Sequence, residues 1–169
     1  MCIEDLHEIS ATLAELDVYS SYAQLSLDRH YTRPQVLDGT DDSTCNVLSI
    51  QNARHPMVEM GSSFSLTSFV PNDCIMDNSK RTFIITGANM SGKSTYIRTT
   101  ALLVIMAQAG LYVPATEMTT SIVDQLFSRV GSTDQIVKDQ SSFMVEMNEC
   151  SYILKLIFFF FFNLNKYIT

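Results

Sequence analysis

Leu6, Ile9, Leu13, Leu16, Ser20, Ala23 and Leu27 succeed one another in steps of three and four, which puts them on one stripe of a helix broken only at Ser20. The stripe predicts a helix of about 25 residues, about 37 Å long at a rise of 1.5 Å per residue. That is longer than a small domain needs and reads as the end of a larger arm. Pro34 biases Arg33 away from helix, and Asp38-Gly39-Thr40-Asp41-Asp42-Ser43 reads as a loop. The pattern therefore divides the chain into a helical segment over 1–30, a connector over 31–46 and a compact domain over 47–154.

Within that domain, Thr82-Phe83-Ile84-Ile85-Thr86 is a run of β-formers between Lys80-Arg81 and Gly87, the signature of a buried strand. From Lys93 to Ala109 there is neither Pro nor Gly, and Ala101 to Ala107 is apolar nearly all round, so a buried helix is expected with Gly110 as its cap. Ile122 to Val130 reads as a second strand. Ser141 to Leu154 reads as a second helix, burying Phe143, Met144, Met147 and Leu154. Strand, helix, strand, helix implies an α/β core.

The last stretch, 155–169, breaks the pattern with five consecutive Phe residues, Phe158 to Phe162, ahead of Asn163-Leu164-Asn165-Lys166. Its apolar run is far shorter than the ~20 residues a membrane helix requires, and Lys155 interrupts it, so no membrane role is expected. Phe, Asn, Lys, Tyr, Ile and Leu can all be encoded by A and T alone, and the tail reads as translated non-coding sequence with the domain cut short before it.

Composition narrows the partners. The 169 residues are 46% hydrophobic, enough for one domain with a core. A net charge of −7 argues against this chain holding duplex DNA by itself, because phosphate binding requires a surplus of Lys and Arg. Cys2, Cys45, Cys74 and Cys150 form no C-x-x-C pair, so neither a zinc site nor a secreted disulfide framework is suggested. The N-terminus carries no secretory pattern.

Between the expected strand and helix lies Gly87-Ala88-Asn89-Met90-Ser91-Gly92-Lys93-Ser94, a P-loop. Gly87 and Gly92 allow backbone angles and a close approach that side chains prevent, so successive N–H groups can face phosphate oxygens. Lys93 can reach the β- and γ-phosphates from the start of the helix, whose N-terminus adds partial positive charge. Ser94 offers its hydroxyl to Mg²⁺. The bland alternative is a strand-to-helix turn with an incidental surface lysine. Kinases, GTPases and ABC-type ATPases share such a cradle, but the chain has no Asn-Lys-x-Asp guanine reader and no Leu-Ser-Gly-Gly signature.

The loop and its flanks resemble the ATPase domain of the MutS family of DNA mismatch-repair proteins. That family's TGPNMGGKST reads here Thr86-Gly-Ala-Asn-Met-Ser-Gly-Lys-Ser-Thr95, departing at Ala88 and Ser91. The likeness continues through Tyr96-Ile97-Arg98, Met106-Ala107-Gln108, Tyr112 to Ala115, Phe127 to Gly131 and Ser141 to Met147. Upstream, Leu16-Asp17, Tyr31 to Pro34, Arg54-His55-Pro56 and Phe69-Val70-Pro71-Asn72-Asp73 are similar to the family's segment joining lever helices to the ATPase. It covers about residues 4 to 154. Phe69 to Asp73, Ser94 to Arg98 and Ser121 to Asp124 look most like the eukaryotic MutS homologue 2 branch.

The resemblance implies an α/β, ABC-ATPase-like P-loop NTPase domain, incomplete and preceded by a long lever helix. It implies ATP and Mg²⁺ as cofactors, Phe69 stacking on adenine, and Asn89 near the γ-phosphate beside Gly87, Ala88, Met90, Ser91, Gly92, Lys93, Ser94 and Thr95. Ser141 and Ser142 match a Ser-Thr signature that reaches the partner subunit's nucleotide. Without it, Phe69 reads as a core or loop aromatic, and Ser141-Ser142 as a helix cap. His55 beside Pro56 reads as structural. The expected partners are another MutS-family subunit in a heterodimer, and mismatched duplex DNA held through parts outside this chain, with a nuclear location.

Hydrolysis requires an acid to hold Mg²⁺ and another to position water. The family supplies these as an Asp-Glu pair downstream, and nothing after Glu149 is acidic here. Three readings stand: the ATP-binding part of a mismatch-repair protein whose nucleotide state controls DNA binding and clamp sliding, a nucleotide-binding or dimerisation fragment without turnover, and a truncated product without function.

Overall fold

A computed structural model describes residues 3–41, 44–61, 69–128, 144 and 147–156. The chain divides into two units, Met1–Asp124 and Gln125–Thr169.

The first unit begins with helix α1, Ile3–Arg29, which buries none of its residues. Leu6, Ile9, Leu13 and Leu16 stay 48% to 60% exposed, so among the described residues the apolar stripe is not buried. His30 ends the helix at φ 52°, with the Tyr31 N–H donating to the Ser26 carbonyl at 3.0 Å. That is the six-to-one bond of a Schellman cap, made here without glycine.

Four strands follow, β1 (Gln35–Leu37), β2 (Leu48–Ala53), β3 (Asn72–Met76) and β4 (Glu117–Ser121). They form one mixed sheet in the order β1-β4-β2-β3, parallel between β1 and β4 and antiparallel elsewhere. The connector residues 31–46 thus contribute an edge strand. A short helix α2, Pro56–Gly61, leaves β2 with proline in its first turn, where the missing N–H is no loss. Helix α3 spans Lys93–Gln108.

Ile50 and Ala53 of β2, Cys74 of β3 and Met118 of β4 form one buried cluster with Leu103, Val104 and Ala107 of α3, closed by Val113 and Ala115. Ser121 locks β4 to the start of β2: its hydroxyl accepts the Val47 N–H at 2.7 Å and donates to the Val47 carbonyl at 3.0 Å. The C-terminus of α3 closes as expected. Gly110 at φ 80° donates to Ala107, and the Leu111 N–H reaches the Met106 carbonyl at 2.9 Å, a Schellman motif that frees no orphan carbonyl to the core.

Four expectations are corrected. Residues 82–86 form no strand: none of the four strands offers them a ladder, their backbone groups stay in water, and Ile84 is 90% exposed. Helix α3 is buried on one face only, with Ile97 and Ile105 exposed, because the sheet covers a single side. The second strand lies earlier than the apolar reading placed it. β4 is the polar Glu117-Met-Thr-Thr-Ser121, whose inward Met118 and Thr120 alternate as a half-buried strand requires, while 122–128 carry no strand.

In the second unit residues 147–156 are helical. Met144, Met147 and Leu154, expected inside, are 53%, 45% and 55% exposed. Phe143 lies outside the described residues. Among the described residues no helix is long and apolar enough to cross a membrane.

Candidate functional site

The P-loop residues form a turn closed by the Ser91 N–H donating to the Ala88 carbonyl at 3.3 Å. Its third residue, Met90, has φ 65° and a fully exposed side chain. Gly92 follows at φ 91°. Two left-handed residues around Ser91 bend the backbone into the alternation that turns successive N–H groups to one side. Methionine accepts that conformation at a steric cost that glycine escapes.

A Cβ at Gly87 would stand 2.8 Å from the Ser91 Oγ, so that hydroxyl would have to turn away to admit a side chain there. Ser91, one of the two departures from the family pattern, therefore fills the space that Gly87 leaves open.

Lys93 is the first residue of α3, and its Nζ donates to the Gly87 and Ala88 carbonyls, both at 2.6 Å. The side chain thus folds back along the loop, placing its ammonium beside the turn. Gly92, the N-cap, makes no side-chain capping bond. The N–H groups of the first helical turn have no partner within the helix and point with the helix dipole toward the loop. Ser94 lies in this turn with its side chain exposed, and Asn89 is exposed at the tip.

A cleft of about 550 Å³ opens beside this loop, within the 300–1,000 Å³ typical of small-molecule sites. Its lining comes from Met90 to Lys93 and Thr95 of the loop and helix start, from Phe69, Val70 and Asn72, and from Val58 of α2 and Tyr96 of α3. Phe69 and the P-loop, 18 or more residues apart in sequence, therefore share one cavity. The lining has the chemistry a nucleoside triphosphate needs, an aromatic ring in Phe69 and a cation in Lys93 beside the helix N-terminus.

Sequence reasoning had not singled out Tyr96 for the site. Its hydroxyl donates to the Asp73 carbonyl at 3.0 Å. Burial, contact with Cys74 and the Asp73 charge push that hydroxyl up to about 12, so it stays a donor over any ordinary pH. The available signal was its place three residues after Lys93, on the same side of the helix.

His55 is buried, and its Nδ1 accepts the Val58 N–H at 3.4 Å across the start of α2. Burial first, then the Arg98 charge, lower its pKa from 6.5, which keeps the imidazole neutral as a capping acceptor. Arg54 pairs with Glu59 at 3.5 Å and donates to the Arg29 carbonyl at 3.3 Å, tying α2 to the end of α1. Ser141 and Ser142 lie outside the described residues.

Residues 83–158 match the family model described as MutS domain V, ending four residues inside the tail that composition set apart. DNA mismatch repair protein MutS 1 of Haloarcula marismortui is 46% identical over 149 residues, 88% of this chain and 15% of that protein. DNA mismatch repair protein MutS of Desulfitobacterium hafniense is 48% identical over 148 residues, 88% of this chain and 16% of its own length. The Caldicellulosiruptor saccharolyticus protein of the same name is 47% identical over 154 residues, 90% of the chain and 17% of that protein. The chain thus spans about a sixth of the length of the relatives it matches. These relatives are archaeal and bacterial, where the segments Phe69 to Asp73, Ser94 to Arg98 and Ser121 to Asp124 had pointed to the eukaryotic MutS homologue 2 branch. With a P-loop cleft of this construction and a match that runs over nearly nine-tenths of its residues, the chain belongs to the MutS family and includes sequence of its domain V.

Proposed function

We propose that the cleft binds ATP with Mg²⁺ as the nucleotide site of a DNA mismatch-repair protein. The observation that carries this is the sharing of one cavity by Phe69 and the Lys93-bearing loop. Phe69 takes the adenine face by stacking. The loop from Gly87 to Thr95 takes the phosphates, with Lys93 against the β- and γ-oxygens, Asn89 near the γ-phosphate and the Ser94 hydroxyl on the metal. When bound, Mg²⁺ neutralises charge on the phosphate oxygens.

The partner is another MutS-family subunit, to whose nucleotide Ser141 and Ser142 reach, and mismatched DNA is held by parts of the protein outside these 169 residues. The nucleotide state of the paired sites then governs DNA binding and clamp movement. The family reading stands without the eukaryotic subfamily, and the nuclear location that came with that subfamily is not carried forward.

A second reading, binding without turnover, is favoured by the cleft itself: among the described residues that line it there is no Asp or Glu, and hydrolysis requires acids to hold the metal and position water.

Titration of a fluorescent ATP analogue with Mg²⁺ against the chain and its Lys93→Ala variant tests the binding. Removing a charged partner of buried phosphates costs about 2–5 kcal/mol, which is roughly a 30- to 4,000-fold rise in Kd. Equal binding by both proteins would sink the assignment. Phosphate release dependent on Lys93 would favour the hydrolytic reading over the second one.

A further inference from the structure

We propose that Tyr96 is a positioning residue for the base of the nucleotide, its hydroxyl holding Phe69 at a set spacing from the phosphate loop through the Asp73 carbonyl. The inference rests on the ATP reading and adds how the two ends of the site are registered.

Tyr96 belongs rigidly to the phosphate side. It sits in the first turn of α3, its own N–H donates to the Gly92 carbonyl at 2.8 Å, and Lys93 is one turn before it. Asp73 belongs equally rigidly to the base side. It lies on β3, its carbonyl accepts the Tyr96 hydroxyl at 3.0 Å, and its carboxylate accepts the Asn52 N–H at 2.7 Å. Asn52, at φ 52°, marks the bulge where the β2–β3 register shifts, so Asp73 is fixed from the sheet and from α3 together.

Only three residues separate Asp73 from Phe69, and they have little freedom. Pro71 has a locked φ, and Asn72 Nδ2 donates to the Val70 carbonyl at 2.9 Å. The position of Phe69 is thereby referred to β3, and β3 to the loop end of α3 by the phenolic hydroxyl, in addition to the core that Cys74 shares with the later turns of that helix. Both rings line the same cleft. Phenylalanine at position 96 keeps the ring and deletes the hydroxyl, with its bond to the Asp73 carbonyl and its contact with Cys74.

The test is calorimetric titration of the full chain and its Tyr96→Phe variant with two ligands, ATP and inorganic tripolyphosphate, each with Mg²⁺. The second ligand has no base to stack. Losing one hydrogen bond of ordinary strength corresponds to a roughly 3- to 10-fold rise in the Kd for ATP, with tripolyphosphate affinity unchanged. Partial unfolding would lower the stoichiometry for both ligands alike and leave the ratio of their Kd values untouched, so that ratio reads positioning. In a Phe69→Leu background the same change should add less than about twofold, because both act on one contact. An unchanged ratio, or full additivity with Phe69→Leu, overturns the role of Tyr96 while the site stands. Failure of the wild-type chain to bind either ligand removes the ATP reading and the inference with it.

Discussion

Two stretches with strand-forming composition meet opposite fates. Leu48-Ser-Ile-Gln-Asn-Ala53 becomes the central strand β2, with Ile50 wholly buried. Thr82-Phe-Ile-Ile-Thr86, richer in β-formers, carries no strand and leaves Ile84 at 90% exposure. Propensity favours the second, but pairing favours the first, since β2 has β3 on one side and β4 on the other. A strand is a property of its neighbours more than of its own residues.

The contrast can be broken at its strongest point by comparing isoleucines. Ile50→Ala should cost about 2–5 kcal/mol, the range for deleting a buried aliphatic side chain, read as a fall in the urea midpoint at constant m. A loss below about 1 kcal/mol would show that β2 is no more anchored than 82–86. Next in size is Gly110→Ala, which forces an L side chain to φ 80° at the cap of α3, the helix packed on β2. About 1–2 kcal/mol is expected, although nothing lies within 4 Å of where the Cβ would be. A neutral result would mean that the cap contributes nothing to holding α3 on the sheet. Smallest is Ile84→Ala, expected within about 0.5 kcal/mol of wild type, as for surface changes generally. A large loss there would put the segment inside a core after all.

The same contrast explains what could be read from the sequence. Helices α1 and α3 were legible because three-and-four spacing and a Gly cap are local signals. The P-loop was legible for the same reason, since Gly87, Gly92 and Lys93 act within a few residues. β4 was not, because Met118 and Thr120 alternate within a run of hydroxyl residues whose bonds are made to Val47 and to the backbone, far away in sequence or invisible in composition. The Phe69 side of the site entered only through family resemblance, since nothing local to Phe69 reveals that it shares a cleft with the loop. The bare stripe of α1 and the exposed run at 82–86 were taken as apolar surfaces with partners, and hydrophobicity alone does not say whether the partner lies in the same chain.

The parallel pairing of β1 with β4 has a consequence for how the protein is made. Gln35 of β1 registers with Thr119, across almost half the chain. On a ribosome that emits the N-terminus first, α1 can coil as soon as it appears, but β1 waits until Ser121 has emerged before the sheet can close. Such non-local closure is slow, and throughout the delay the strand edges are open to other nascent chains. Synthesis slowed just before residue 121 should prolong that exposure, whereas a pause after it should let the sheet close first.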